Sequence, residues 1–166
     1  MISVLFTVAL SALLVFWLGA SYRRILRLRI LVSHAWKRLD EHVKRRIEII
    51  GKTLELARNA GIEGAELDRV ARAHARSTPY RGPSEAGQRY AELDHALNEL
   101  ISFMGQHPGA GGALRAIAED VSPVTHAVVQ ARDTYNGHAA NYNRAIGVLP
   151  GNLIAGMTSF HRAEVF

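Results

Sequence analysis

Ile2 to Ala20 is a run of 19 residues without a charged side chain, and Arg23, Arg24, Arg27 and Arg29 come almost at once after it. As an α-helix rising about 1.5 Å per residue, the run reaches roughly 28 Å, close to the hydrocarbon thickness of a bilayer. Residues 1–21 are therefore expected to tether the chain to a membrane. A cleaved secretory signal also opens with an apolar stretch, but the fit is poor. No Lys or Arg precedes the run, the run exceeds the usual apolar length of such signals, and cleavage after Ala20 would put Leu18 where a small residue is needed.

Charge gives the expected orientation. The four arginines flank the run on its C-terminal side, so positive-inside bias places the C-terminal remainder of the chain in the cytoplasm. Trp17 and Tyr22 sit at that boundary, where amphipathic rings favour the interface. The arginines either set topology alone or also hold anionic headgroups, at about 1 kcal/mol each. Ser3, Thr7, Ser11 and Gly19 roughly line one face of the run, a pattern that lets membrane helices approach closely.

The remaining 145 residues are enough for one ordinary domain, expected over 22–166. The net charge is +5, yet nine of the 20 basic residues lie between Arg23 and Arg46. Positive charge thus belongs to a membrane-proximal stem and not to a nucleic-acid footprint. With no cysteine, there is no disulfide, thiol nucleophile or cysteine-ligated zinc.

Beyond the anchor, Val32, Trp36, Leu39, Val43, Ile47, Ile50, Leu54 and Ala57 recur at steps of three or four, the seam of an amphipathic helix. Lys37, Arg38, Asp40, Glu41, Lys44, Arg45 and Glu48 supply its charged outer face. No proline interrupts Tyr22 to Asn59, so the stem is expected to continue out of the membrane helix, with a bend near Gly19. Asn59-Ala60-Gly61 is a helix stop. Ala65 to Arg76 predicts a short second helix with Leu67, Val70 and His74 on one face. Ser84-Glu85-Ala86-Gly87 offers N-capping chemistry for a third, at 85–105, with Tyr90, Leu93, Leu97, Leu100, Ile101 and Met104 as its stripe. Gln106 to Gly112 breaks the pattern. A short turn at Ala113–Glu119 comes next, and Pro123, with Ser122 as N-cap, is placed to open a fourth main helix running to Leu149. Leu149-Pro150-Gly151 ends it, leaving a mixed tail. The fold class is all-α: a transmembrane helix continuing into an antiparallel four-helix bundle whose first and last helices are long.

No catalytic constellation emerges. The eight histidines show no known ligand spacing, so no metal or cofactor is expected. Asp40 and Glu41 face different directions on a helix, with Lys44 and Arg45 as ordinary ion-pair partners. Gly109-Ala110-Gly111-Gly112 lacks both the preceding strand and the Lys-Ser/Thr of a phosphate loop. The unusual polar feature is Tyr135-Asn136 and Tyr142-Asn143, seven residues apart and so on one helical stripe. Asparagine is a weak helix former and is expected to have a hydrogen-bonding task here. Two readings stand: polar glue between helices, or a stripe for a partner.

Ala131-Arg132, the two Tyr-Asn pairs, Leu149-Pro150-Gly151-Asn152-Leu153-Ile154-Ala155-Gly156 and a closing Phe160 to Phe166 together resemble the C-terminal signature of the LemA family. Ala35-Trp36, Leu39-Asp40, Lys44-Arg45-Arg46 and Glu48 resemble its stem, and Leu93-Ala96-Leu97 with His107-Pro108 its third-helix end. The likeness covers roughly residues 32–166. It departs at Gly51-Lys52, where Pro-Asn is usual. It departs also at Thr125, where a glutamate seven residues before Arg132 is usual, and at Met157-Thr158-Ser159 in the tail.

The resemblance implies a membrane helix, a helical bundle and no established catalytic activity. The family's associations are with magnetosome membrane formation and with membrane metallopeptidases. The expected function is a non-catalytic scaffold at a bacterial inner membrane or a derived internal membrane, with the lipid bilayer, a second copy of the chain or a membrane-protein client as partners. The alternative is a regulatory partner of a membrane protease or signalling protein. Docking would use an exposed bundle face or the tail from Leu149 to Phe166, whose apolar Leu153, Ile154, Met157, Phe160 and Phe166 are the candidates unless they pack back onto the helices.

Overall fold

Helix formers without an internal proline dominate the first third of the chain, and a computed structural model shows them as one helix, α1, over Ile2–Asn59. The structure describes residues 1–59, 61, 63–106 and 111–166, apart from the side chains of residues 2, 111, 113–116 and 118. Four more helices follow among the described residues: α2 at Ala65–Arg76, α3 at Pro83–Gly105, α4 at Gly111–Gly147 and α5 at Gly151–Met157. There is no strand among the described residues.

The helix signals are largely where the chemistry puts them. Helical structure runs unbroken through Gly19. Gly61 lies just past the end of α1 with φ of 72°, a conformation that glycine adopts without steric cost, and its N–H bonds the Arg58 carbonyl at 3.0 Å. Ala60, the middle of the predicted stop, lies outside the described residues, as do His107 to Ala110. In α2, Glu66 and Asp68 occupy the first turn and His74 and Arg76 the last, both favourable to the helix dipole.

Three elements differ from the sequence expectation. α3 begins at Pro83 with Gly82 as N-cap and no side-chain cap bond of its own. Glu85, not Ser84, reaches back, its carboxylate accepting the Arg81 backbone N–H at 2.8 Å. Pro123 does not open a helix but lies inside α4. The buried positions Ile117, Val121 and Val128 carry one apolar seam past it, outweighing the helix bond forfeited by its missing N–H. The chain after Pro150 is not irregular throughout, because α5 forms there. Gly151 makes the turn feasible: a Cβ at this position would overlap the Ala145 carbonyl.

The chain divides into two compact units, Met1–Ala35 with Asn136–Ala163, and Trp36–Tyr135 with Glu164–Phe166. The first unit is cored by Ile25, Tyr142, Ile146, Ile154 and Phe160, with Leu18, Leu28 and Val32 at its margin. Its apolar run has a mean hydropathy of 2.2 over the best 18 residues, none of them buried. In the second unit the buried set includes Leu39, Val43, Ile50 and Leu54 of α1, Leu67 and Val70 of α2, Leu93, Leu97 and Leu100 of α3, and Val128 and Tyr135 of α4. These are the stem seam and helix stripes predicted from periodicity. Gly51 sits within that seam, where a Cβ would come within 2.9 Å of His74 Nε2. The His74 ring nitrogen lies 3.0 Å from the Ile47 carbonyl oxygen.

Candidate functional site

Three of the four residues in the Tyr-Asn pairs, Tyr135, Tyr142 and Asn143, engage the chain's last residues. In the first unit Asn143 clamps the backbone of Ala163 from both sides: its Nδ2 donates to the Ala163 carbonyl at 2.9 Å, and its Oδ1 accepts the Ala163 N–H at 2.8 Å. That is the pairing an amide side chain makes with one extended peptide unit. Tyr142, one residue earlier, is buried in the core beside Phe160. The Phe160 ring packs against Tyr22 at 5.9 Å between centroids, and the Arg29 guanidinium lies 5.6 Å from its centre. Two residues expected at the membrane interface, Tyr22 and Arg29, thus also seat the tail. Tyr142 has a raised pKa from burial, partly offset by the positive charge of Arg29.

In the second unit Tyr135 donates its hydroxyl to the Glu164 carbonyl at 2.6 Å. Burial, reinforced by the Glu164 charge, pushes its pKa up to about 12. The Trp36 ring lies between Tyr135, at 5.6 Å, and Tyr80, at 6.4 Å in an edge-on arrangement. Tyr80 donates to Asp40 at 2.5 Å, and Asp40 also pairs with Lys44 at 2.7 Å. Burial and then the Asp40 hydrogen bond hold the Tyr80 phenol well above its ordinary range. Asp40, expected on a solvated face, is turned inward by a tyrosine 40 residues away.

Glu164 completes α3. Its carboxylate accepts the Ser84 N–H at 3.3 Å, and a Cβ on Gly82 would come within 2.9 Å of the same oxygen. The tail thus adds a second negative charge, beside that of Glu85, at the positive end of the helix dipole. Phe166 then lies along α3: its backbone carbonyl carbon is 3.0 Å from where a Cβ on Gly87 would sit, and its ring packs on Tyr90 at 5.7 Å. Tyr90 in turn carries the Arg46 guanidinium 4.7 Å above its ring, and Arg46 pairs with Asp94 at 2.5 Å. Burial raises the Tyr90 pKa against the lowering effect of Arg46.

The arginine is itself buried, and its Nε and Nη1 find no hydrogen-bond partner among the described residues. Spacing could have found it, because Arg46 lies three residues after Val43 and four before Ile50, on the seam and not on the charged face. Its neighbour Arg45, named in the signature, is exposed.

Of the other predicted residues, Pro150 is buried in the turn before α5, and Asn136 is half-buried. Arg132 lies 3.4 Å from the adjacent Asp133, and no ion pair carries it to another helix among the described residues. Position 125, where the glutamate is usual, holds a threonine whose hydroxyl bonds the Val121 carbonyl at 2.9 Å. Arg23, Arg24 and Arg27 are exposed beyond the apolar run, and Trp17 is 47% exposed within it. No cluster of three or more His, Asp or Glu able to hold a metal is found among the described residues. The geometry binds the chain's own tail through aromatic stacking, backbone hydrogen bonds and one helix-capping carboxylate.

A comparison with curated proteins finds none that matches. A scan of known families gives the LemA family over residues 35–166. That stretch contains the stem from Ala35, both Tyr-Asn pairs and the tail they hold, and it covers well over half of the sequence. The chain belongs to the LemA family.

Proposed function

We propose that the chain is a membrane-anchored, non-catalytic scaffold or adaptor, with residues 1–21 spanning a bacterial inner membrane and the later helices forming an antiparallel bundle in the cytoplasm. The observation that carries this reading is the exposure of the apolar run. Val4, Leu5, Phe6, Val8, Val15 and Phe16 are each more than 60% exposed, and none of the most apolar 18 residues is buried. An uncharged helix that leaves so many large apolar side chains exposed needs lipid, because water would make it aggregate. The arginines beyond it support the cytoplasmic orientation. The scaffold role is supported by where the signature's polar groups go. Asp40 is engaged by the Tyr80 hydroxyl, and Tyr135 and Asn143 by the tail backbone, holding shape and not facing a substrate.

Among the tail's apolar residues, Ile154 and Phe160 are buried, while Leu153 and Met157 are 56% and 88% exposed. This second observation favours a client, such as a membrane metallopeptidase or a magnetosome-type assembly, that would dock on α5. In-cell photocrosslinking from Leu153, Met157 and exposed stem positions tests both. Products dominated by the chain itself support a self-assembling scaffold, and one reproducible foreign membrane protein captured through α5 supports an adaptor. A chain lacking residues 1–21 that remains fully active in a knockout would overturn both.

A further inference from the structure

We propose that the cleft between α1 and the α4–α5 turn, inside the first unit, binds the phosphate of an anionic phospholipid. The inference rests on the membrane-anchored reading and names the lipid class that the anchor would meet. The cleft has a volume of about 370 Å³ and brings Arg24 and Arg144 together with Ser21 and Asn141, while Val148 and Leu149 form part of its apolar wall. No acidic residue lines it. Both arginines are exposed, and neither has a carboxylate partner among the described residues.

Chemistry, height and rim agree on the occupant. Two guanidinium groups, a hydroxyl and an amide are the donor set that surrounds a phosphate, with arginine able to bond two of its oxygens at once. Arg24 lies four residues past the apolar run, about 6 Å further along the helix axis, which is the depth of a headgroup layer. Val148 and Leu149 are 55% and 64% exposed beside these donors. A free phosphate has no use for such neighbours, whereas the glycerol and upper acyl carbons of a lipid cover them. With no carboxylate to receive an ammonium group, the cleft favours a phosphatidylglycerol-type headgroup over a zwitterionic one.

The test uses the full chain in mild detergent, with native mass spectrometry counting bound phosphatidylglycerol, phosphatidylcholine or inorganic phosphate. Phosphatidylglycerol is expected to be retained. Arg24→Gln with Arg144→Gln should weaken it about 30-fold. Arg23→Gln with Arg27→Gln, which removes equal charge outside the cleft, should change it less than about threefold. Leu149→Glu, an independent change at an exposed wall residue, should also expel the lipid. Equal losses in the two double variants, equal retention of phosphatidylcholine, or displacement of lipid by equimolar inorganic phosphate would each overturn the site. Alkaline carbonate extraction of wild-type membranes reads the anchor separately. Release of the chain overturns the anchored reading, while retention without lipid preference overturns the cleft alone.

Discussion

Asn143 and Tyr135 lie two helical turns apart on α4, and each secures a different residue of the tail's backbone. Asn143→Ala removes two hydrogen bonds and leaves the Ala163 peptide unpaired, so a loss of about 1–3 kcal/mol is expected. Thermal melts should show the lower stability, and limited proteolysis should cut the tail earlier. Tyr135 carries a pH dependence of definite sign. Its pKa of about 12 in the folded chain exceeds the ordinary phenol value of 10.0, so the folded state holds the proton longer. Its contribution is fully present below pH 10 and is lost as pH rises toward 12. Tyr135→Phe should make the alkaline fall in stability shallower over that window, as read by denaturant midpoints of the wild type and variant.

Among the elements, α4 departs most from what the sequence announces. A proline inside a helix lacks one backbone bond and crowds the preceding turn, so Pro123→Ala should stabilise the chain by about 1–3 kcal/mol, raising the melting temperature. The seams of α1, α2 and α3 were legible because period-3.6 burial is a local pattern: Leu39, Val43 and Ile50 declare one another within four turns. The Tyr-Asn stripe was legible as unusual, because asparagine in a helix calls for a partner. The identity of that partner was not. Ala163 lies 20 residues from Asn143, and Glu164 lies 80 from the Ser84 N–H it accepts, distances over which spacing carries no information. Arg46 was hidden differently, since a basic residue among basic neighbours reads as solvated until its seam position is weighed. Pro123 was misplaced because the rule that puts proline at a helix start competes with an apolar seam that continues through it.

At the level of the whole molecule, the tail contributes to both compact units, with Phe160 in the first and Glu164 and Phe166 in the second. Truncation after Met157 should therefore weaken both. The first unit loses a buried aromatic ring, a change of about 3–5 kcal/mol, and the second loses the Glu164 carboxylate at the α3 N-terminus, leaving Glu85 alone there. Hydrogen exchange on the full chain and the truncated chain should show faster exchange around Tyr142 and in the first turn of α3. The discontinuity of the first unit also has a consequence in time. Ile25 is synthesised early, whereas Tyr142 and Phe160, which bury it, come more than 100 residues later. At ordinary rates of translation that interval is on the order of ten seconds. Through it the nascent chain carries a bare apolar face beside its apolar N-terminal run, and that face must stay shielded from other chains until the last residues emerge.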